Sequence, residues 1–397
     1  MSTPGLLPYG RHAIDDDDVD AVVRVLRGDW LTSGPAVDDF EQALAAETGA
    51  ADAVACNSGT AALHLAAMAL GLGPGDVVAV PAITFVATAN AARFVGAEVV
   101  FCDVDPATAL VTPATVEAAI ERAGKPVKAV FPVHVAGQAV DMAALAGVCR
   151  PRGIRLVEDA CHAIGTRMGD TPVGACDNSD MACFSFHPVK TVAMGEGGAV
   201  TTNDPELARH MRRVRSHGIV RQAEEFENPA QAFDGDGRPN PWYYEMVELG
   251  YNYRASDIAC ALGLSQLRKL PRFGQARRAL AETYDRLLAP LAPKVAPLGR
   301  VPGCRPVWHI YVVRIAFAAL GLDRARVMRE LAARGIGSQV HYLPVHRQPY
   351  YAGRYGVETL PGADAYYQDC LTLPLFPAMT DGDVARVVEA LAEVLGA

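Results

Sequence analysis

The chain of 397 residues has no cysteine pair at C-x-x-C spacing. Its nine cysteines, Cys56, Cys102, Cys149, Cys161, Cys176, Cys183, Cys260, Cys304 and Cys370, are scattered, several of them in apolar runs such as VVFCDVD and MACFSF. That spread argues against a disulfide framework or a zinc site and fits free thiols in a reducing compartment, so no metal is expected. A basic leader followed by a long apolar run is also missing from MSTPGLLPYGRHAIDDDD, and Gly, Pro or charge interrupts every apolar stretch before bilayer length. The expectation is a cytoplasmic protein. Positive charge is in deficit, 36 basic against 45 acidic residues for a net charge of −9 with histidine neutral, which does not favour nucleic acid or an anionic membrane as partner. Anionic small molecules stay open, since a few local groups suffice to bind them. Two phosphate signatures are absent as well, the GK[ST] of a P-loop and the G-x-G-x-x-G dinucleotide fingerprint.

What is present is a core-rich composition, 50% hydrophobic and 20% charged, with enough chain for two domains. Helical periodicity marks residues 15–27 and 37–47. Short apolar strands then alternate with amphipathic helices as far as LVEDACHA, the pattern of a mainly parallel sheet covered on both faces, with ligands at the strand ends. DMACFSFHPVK and GGAVTTND read as two strands joined by a glycine turn. Residues 220–245 are polar, turn-rich and long for a plain connection. Beyond helical patterns at 255–270 and 275–288, the strand HIYVVRIAF, a helix, the extended run GSQVHYLPVH and a terminal helix lack regular alternation. This predicts a smaller α+β domain, with domains 1–255 and 256–397. No internal repeat is visible.

Three local features carry chemistry. Lys190, in FSFHPVK followed by GEGG, sits in a glycine-rich, aromatic and weakly charged setting, where a lysine can lose its proton and attack a carbonyl. Glu158 and Asp159 end the apolar run IRLV, and a carboxylate at a strand end can keep a pyridine nitrogen protonated, with a helix cap or salt bridge as the plain alternative. Ser58-Gly59-Thr60 opens an alanine-rich helix, where backbone N–H groups and the dipole suit a phosphate.

Together with GDWLTSGPAVDDFE, NSGTAALHLA, PAITFVATANA, PVHVAGQAVDM, LVEDACHAIG, SFHPVKTVAMGEGGAVTT, RSHGI and LGYNYRASDIACALGLSQL, these features make the chain resemble the DegT-type sugar-nucleotide aminotransferases over nearly its whole length. The resemblance implies the α/β architecture of a fold-type-I pyridoxal-phosphate transferase, with a mainly parallel seven-stranded sheet flanked by helices. It implies that Lys190 forms the internal aldimine and moves the proton, and that Asp159 pairs with the pyridine nitrogen. Ser58, Gly59, Thr60 and Ser185 would hold the phosphate, helped by Asn252 from the other subunit of a homodimer. Phe85 would stack on the ring. His162, where relatives often carry glutamine, would lie near the ring 3-hydroxyl. Thr32, His187, His217, Tyr253, Arg254, His341, Tyr342 and His346 are expected on the substrate side, and Arg215 at the nucleotide or the interface. The His-Pro-Val-Lys variant resembles the branch that aminates C4 of a UDP-linked 4-keto-6-deoxy-N-acetylhexose toward pseudaminic acid, with L-glutamate as donor. Related branches use dTDP- or GDP-linked 3- or 4-keto sugars. The rivals are a dehydratase, marked by histidine in place of the lysine, a non-enzymatic regulator, marked by loss of Lys190 or Asp159, and an amino-acid enzyme using Arg347 or Arg354 for an α-carboxylate.

Overall fold

The computed structural model describes residues 5–396. The alternating first half forms β1 (Asp52–Cys56), β2 (Val77–Pro81), β3 (Glu98–Cys102), β4 (Val127–Val130), β5 (Arg155–Asp159), the short β6 (Arg167–Met168) and β7 (Thr171–Pro172), then β8 (Met181–Ser185) and β9 (Gly198–Thr202). Seven of these form one sheet in the order β1-β9-β8-β5-β4-β2-β3. Every pair from β8 to β3 is parallel, and β9 runs antiparallel to both β1 and β8. All strands but β9 therefore point the same way, and their carboxyl ends share one edge.

Both faces of the sheet are buried, as a parallel sheet requires. Val54 and Cys56 join Met181, Cys183 and Val200 in one apolar cluster, while Ala53 and Ala55 join Ala182, Phe184 and Ala199 in the other. Strand side chains alternate with a period of two, which explains this division. Helix Asp16–Leu26 has three aspartates in its first turn, where they complement the helix dipole. It packs with helix Pro35–Thr48 against helix Asp257–Arg268, and Gln266 Nε2 donates to the buried Asp18 Oδ2 at 2.7 Å.

The 220–245 stretch is a structured arm. β10 (Ile219–Val220) pairs with β11 (Glu245–Met246), Phe226 packs against Phe233 and Tyr243, and Glu245 accepts the Asn228 N–H at 2.8 Å. The smaller α+β part follows with β12 (Val295–Pro297), β13 (Cys304–Arg305), β14 (Tyr311–Ile315) and β15 (Cys370–Leu373). Strands β12, β14 and β15 form its own sheet, with helix Leu270–Leu288 against β12 and helix Asp381–Leu395 packed on that helix, while β13 returns to pair with β6. The extended run expected at GSQVHYLPVH is no regular strand. Gln339 bridges Thr372, and then the Val345 N–H turns away to the Ala82 carbonyl at 2.8 Å. That departure carries His341 and Tyr342 over the strand ends of the large sheet. Among the described residues no helix is long and apolar enough to cross a membrane, and no group of His, Cys, Asp and Glu is arranged to hold a metal ion.

Candidate active site

At the carboxyl edge of the sheet lies a cavity of about 640 Å³. It brings together Ser58, Gly59, Thr60, Phe85, Asp159, His162, Ser185, His187, Lys190, His341 and Tyr342, all singled out from the sequence.

Helix Gly59–Ala69 starts at its wall. Ser58 caps it, its Oγ accepting the Ala61 N–H at 3.1 Å, and Ala62 N reaches the Ser58 carbonyl. The amides of Gly59 and Thr60 belong to the first turn, where no carbonyl is available within the helix. Backbone and Ser185 approach here so closely that a Cβ on Gly59 would sit 2.7 Å from Ser185 Cβ. A phosphate fits this cup of amides and hydroxyls at a helix N-terminus.

Opposite the cup, β5 resolves the acid pair through its alternation. Glu158 is engaged in a structural network: His134 Nδ1 accepts the Val140 N–H at 2.9 Å, so its Nε2 carries the proton and donates to Glu158 Oε2 at 2.7 Å, while Ser179 donates to Oε1. Asp159 lines the cavity instead, buried at 5% exposure, with one donor on each oxygen, Thr88 Oγ1 at 2.7 Å and Cys161 N at 3.1 Å. It has no cationic side chain within 4.0 Å among the described residues. A buried carboxylate without a cation is costly, and a protonated ring nitrogen would supply that charge.

Lys190 follows a turn in which its N–H bonds the His187 carbonyl at 2.8 Å, and it lines the cavity. Burial lowers its pKa, against the opposing pull of Cys161 and Asp159. Phe85 presents an aromatic face that is 57% exposed beside Tyr342. An apolar ring facing open space suits stacking on a flat heteroaromatic. Cup, carboxylate, amine and aromatic face together fit pyridoxal phosphate.

Other expected residues fall outside this cavity. Thr32 bridges Ser256, Asn252 bridges Ser216, and the His217 N–H bonds the Tyr251 carbonyl, so that the three belong to adjoining surface segments with Tyr253 and Arg254. That cluster abuts the cup, because Asn57 N donates to the Tyr253 carbonyl at 2.9 Å. Arg215 pairs with the buried Glu41 at 2.6 Å. His346 does not line the cavity either; it is buried at 1% exposure against Phe101. Arg347 pairs with Asp364, and Arg354 with Glu98, and neither lines the cavity.

Sequence reasoning missed Thr88, Tyr9, His309 and Gln339. Thr88 had a visible signal, since Thr84 and Thr88 are one turn apart and their hydroxyls meet at 2.7 Å. The other three line the cavity from separate segments and carry no local pattern.

Residues 12–392 match the DegT/DnrJ/EryC1/StrS aminotransferase family. The chain belongs to this family. Its fold is that of the fold-type-I pyridoxal-phosphate transferases, so the cofactor and amino transfer come with membership. Among solved structures the chain is similar to Helicobacter pylori PseC, an aminotransferase involved in the biosynthesis of pseudoaminic acid, at 27% identity and TM-score 0.89 over 98% of this chain and 99% of that one. It is similar to S. venezuelae DesV, solved with a ketimine intermediate, at 34% identity and TM-score 0.83 over 96% and 94%. A third likeness is to DesI, solved in the presence of its TDP-sugar product, at 30% identity and TM-score 0.85 over 100% and 94%.

Proposed function

We propose that this family member transfers the amino group of L-glutamate to C4 of a UDP-linked 4-keto-6-deoxy-N-acetylhexose, as in a pathway of the pseudaminic acid type. One observation carries the aminotransferase chemistry: a lysine of lowered pKa and a buried, cation-free carboxylate share a cavity with a helix N-terminus. The His-Pro-Val-Lys segment and the likeness to the Helicobacter pylori enzyme support the sugar. Bound there, pyridoxal phosphate supplies an electron sink through which an amino group leaves one carbon and joins another.

The chain's residues provide the rest. The amides of Gly59 and Thr60, with the Ser58 and Ser185 hydroxyls, hold the phosphate. Asp159, oriented by Thr88 and Cys161 N, keeps the ring nitrogen protonated. Phe85 covers one ring face and excludes water from it. Lys190, whose lowered pKa makes its amine available, holds the cofactor and moves a proton at Nζ. His187 and His341 stand on the sugar side. Asn252, with Thr32, His217, Tyr253 and Arg254, serves the site of a second copy in a cytoplasmic homodimer, each copy divided near residue 256.

A TDP-linked 3- or 4-keto sugar is the second reading, favoured by the likeness to DesI, solved in the presence of its TDP-sugar product, at a higher identity than that to PseC. The deciding experiment incubates purified protein and glutamate with UDP-, dTDP- and GDP-linked keto-sugars in turn and follows the amino-sugar by mass spectrometry. Turnover of the UDP sugar alone supports the first reading and of the dTDP sugar alone the second; no turnover of any keto-sugar sinks both.

A further inference from the structure

His162 and Tyr342 both line the cavity, one from the loop after β5 and the other from the run after helix Arg324–Ala333 that bridges β15 at Gln339. One hydrogen bond joins them, Nε2 to Oη at 2.9 Å, with the rings 27° from parallel. Burial holds His162 well below the usual histidine range, with Lys190 and His341 pushing the same way, so the ring is neutral. Burial likewise holds the Tyr342 phenol well up, reinforced by Asp159, Cys161 and Tyr9. The pair therefore owns two protons, one on the imidazole and one on the phenol, and a single bond between them uses only one.

The second proton has no protein acceptor. His162 Nδ1 is buried without a partner, and Tyr342 Oη makes no other bond among the described residues. If the phenol donated to Nε2, the imidazole proton would sit on Nδ1, sealed from solvent as an orphaned N–H, which folded proteins rarely tolerate. If Nε2–H donates to Oη instead, the buried Nδ1 is only an unused lone pair, and the phenol proton turns into the cavity. Tyr342 lines that cavity with its ring centre 6.2 Å from that of Phe85, at the edge of the space a stacked ring would take.

We infer that His162 is a positioning residue that donates Nε2–H to Tyr342, and that the Tyr342 hydroxyl so held donates to the anionic oxygen on the ring of the bound cofactor. This rests on the cofactor reading above and reassigns the ring-oxygen contact from His162 to Tyr342. A donor on that oxygen stabilises its anionic state and weakens its hold on the neighbouring protonated nitrogen at Lys190. The pH midpoint of the visible band of the lysine-bound cofactor is thereby lowered.

The test titrates that band from acid to alkali in the loaded wild type, Tyr342→Phe, His162→Leu and the double variant. Tyr342→Phe raises the midpoint by about one pH unit, a roughly tenfold change in the acid constant. His162→Leu raises it in the same direction, and the double variant matches Tyr342→Phe rather than summing the two. A midpoint moved by His162→Leu but not by Tyr342→Phe, or two shifts that add, overturns the inference. Independently of the cofactor, ring-nitrogen NMR of the unloaded protein should find His162 protonated on Nε2; protonation on Nδ1 also overturns it. A wild-type protein with no visible band sinks the cofactor reading itself, and unchanged far-ultraviolet dichroism shows that the variants fold.

Discussion

The Thr88 hydroxyl donates to Asp159 Oδ2 at 2.7 Å across 71 residues of sequence, from a fully buried position on helix Val86–Phe94. This bond joins the helix after β2 to the end of β5 and sets the carboxylate plane before any ligand arrives. A hydrogen bond to a charged group is worth about 1.5–3 kcal/mol. Thr88→Val should therefore weaken pyridoxal phosphate binding by about 10- to 100-fold, measured by cofactor titration. Undiminished affinity would show that Thr88 does not orient Asp159.

Lys190 links the site to stability. Its folded pKa lies below its unfolded value, so the unfolded state binds more protons between the two, and stability of the cofactor-free protein rises with pH through that window up to about 10.5. Lys190→Met should raise the Tm of the unloaded protein at neutral pH and flatten this slope. It should also abolish the visible band of cofactor-treated protein, and the band should vanish from wild type on borohydride reduction.

His341 behaves alike at lower pH. Burial, with Lys190 adding to it, pulls its pKa from 6.5 to about 4. Stability should then be complete above about 6.5 and fall as pH drops from there toward about 4, because the unfolded histidine takes up a proton that the folded one refuses. His162 and His309 are depressed too and steepen the loss. Denaturant titrations at several pH values, repeated on His341→Gln, should show a shallower acid slope for the variant.

Glu41 is buried at 6% exposure between helix Pro35–Thr48 and β1, where it meets Arg215, Arg212 and the Ala55 N–H. Removing one partner of a buried ion pair costs about 3–5 kcal/mol. Glu41→Ala should lower the unfolding free energy by about that amount, read by urea melts. A loss below about 1 kcal/mol would place the pair among ordinary surface bridges.

Replacing residues 222–243 of the β10–β11 arm with a short turn should raise the KM for the sugar nucleotide far more than that for glutamate. Equal or absent effects would detach the arm from nucleotide recognition.

Lys190, Asp159 and Ser58-Gly59-Thr60 were legible because each is a local pattern at the end of an element, and strand ends of a parallel sheet converge. The sheet itself was legible from apolar strands alternating with helices. Its order was not, since the reversal of β9 depends on pairing between segments far apart. Strands β6, β7 and β13, of two residues each, are too short to show periodicity. The resemblance selects Asp159 over Glu158; the physical reason, that His134 and Ser179 engage Glu158, is not visible in the sequence. His346 misled because the turn at Val345 withdraws it from its neighbours His341 and Tyr342, which no spacing records.

The Asn57 N–H that bonds the Tyr253 carbonyl belongs to the residue just before the Ser58 cap. The phosphate cup and the 250–257 segment therefore share a backbone strut. Any molecule that seats on that segment and stiffens the cup acquires a coupling free energy with the phosphate. Linkage then runs both ways by the same factor, so loading the cup tightens the grip on that molecule as much as its arrival tightens the grip on the phosphate.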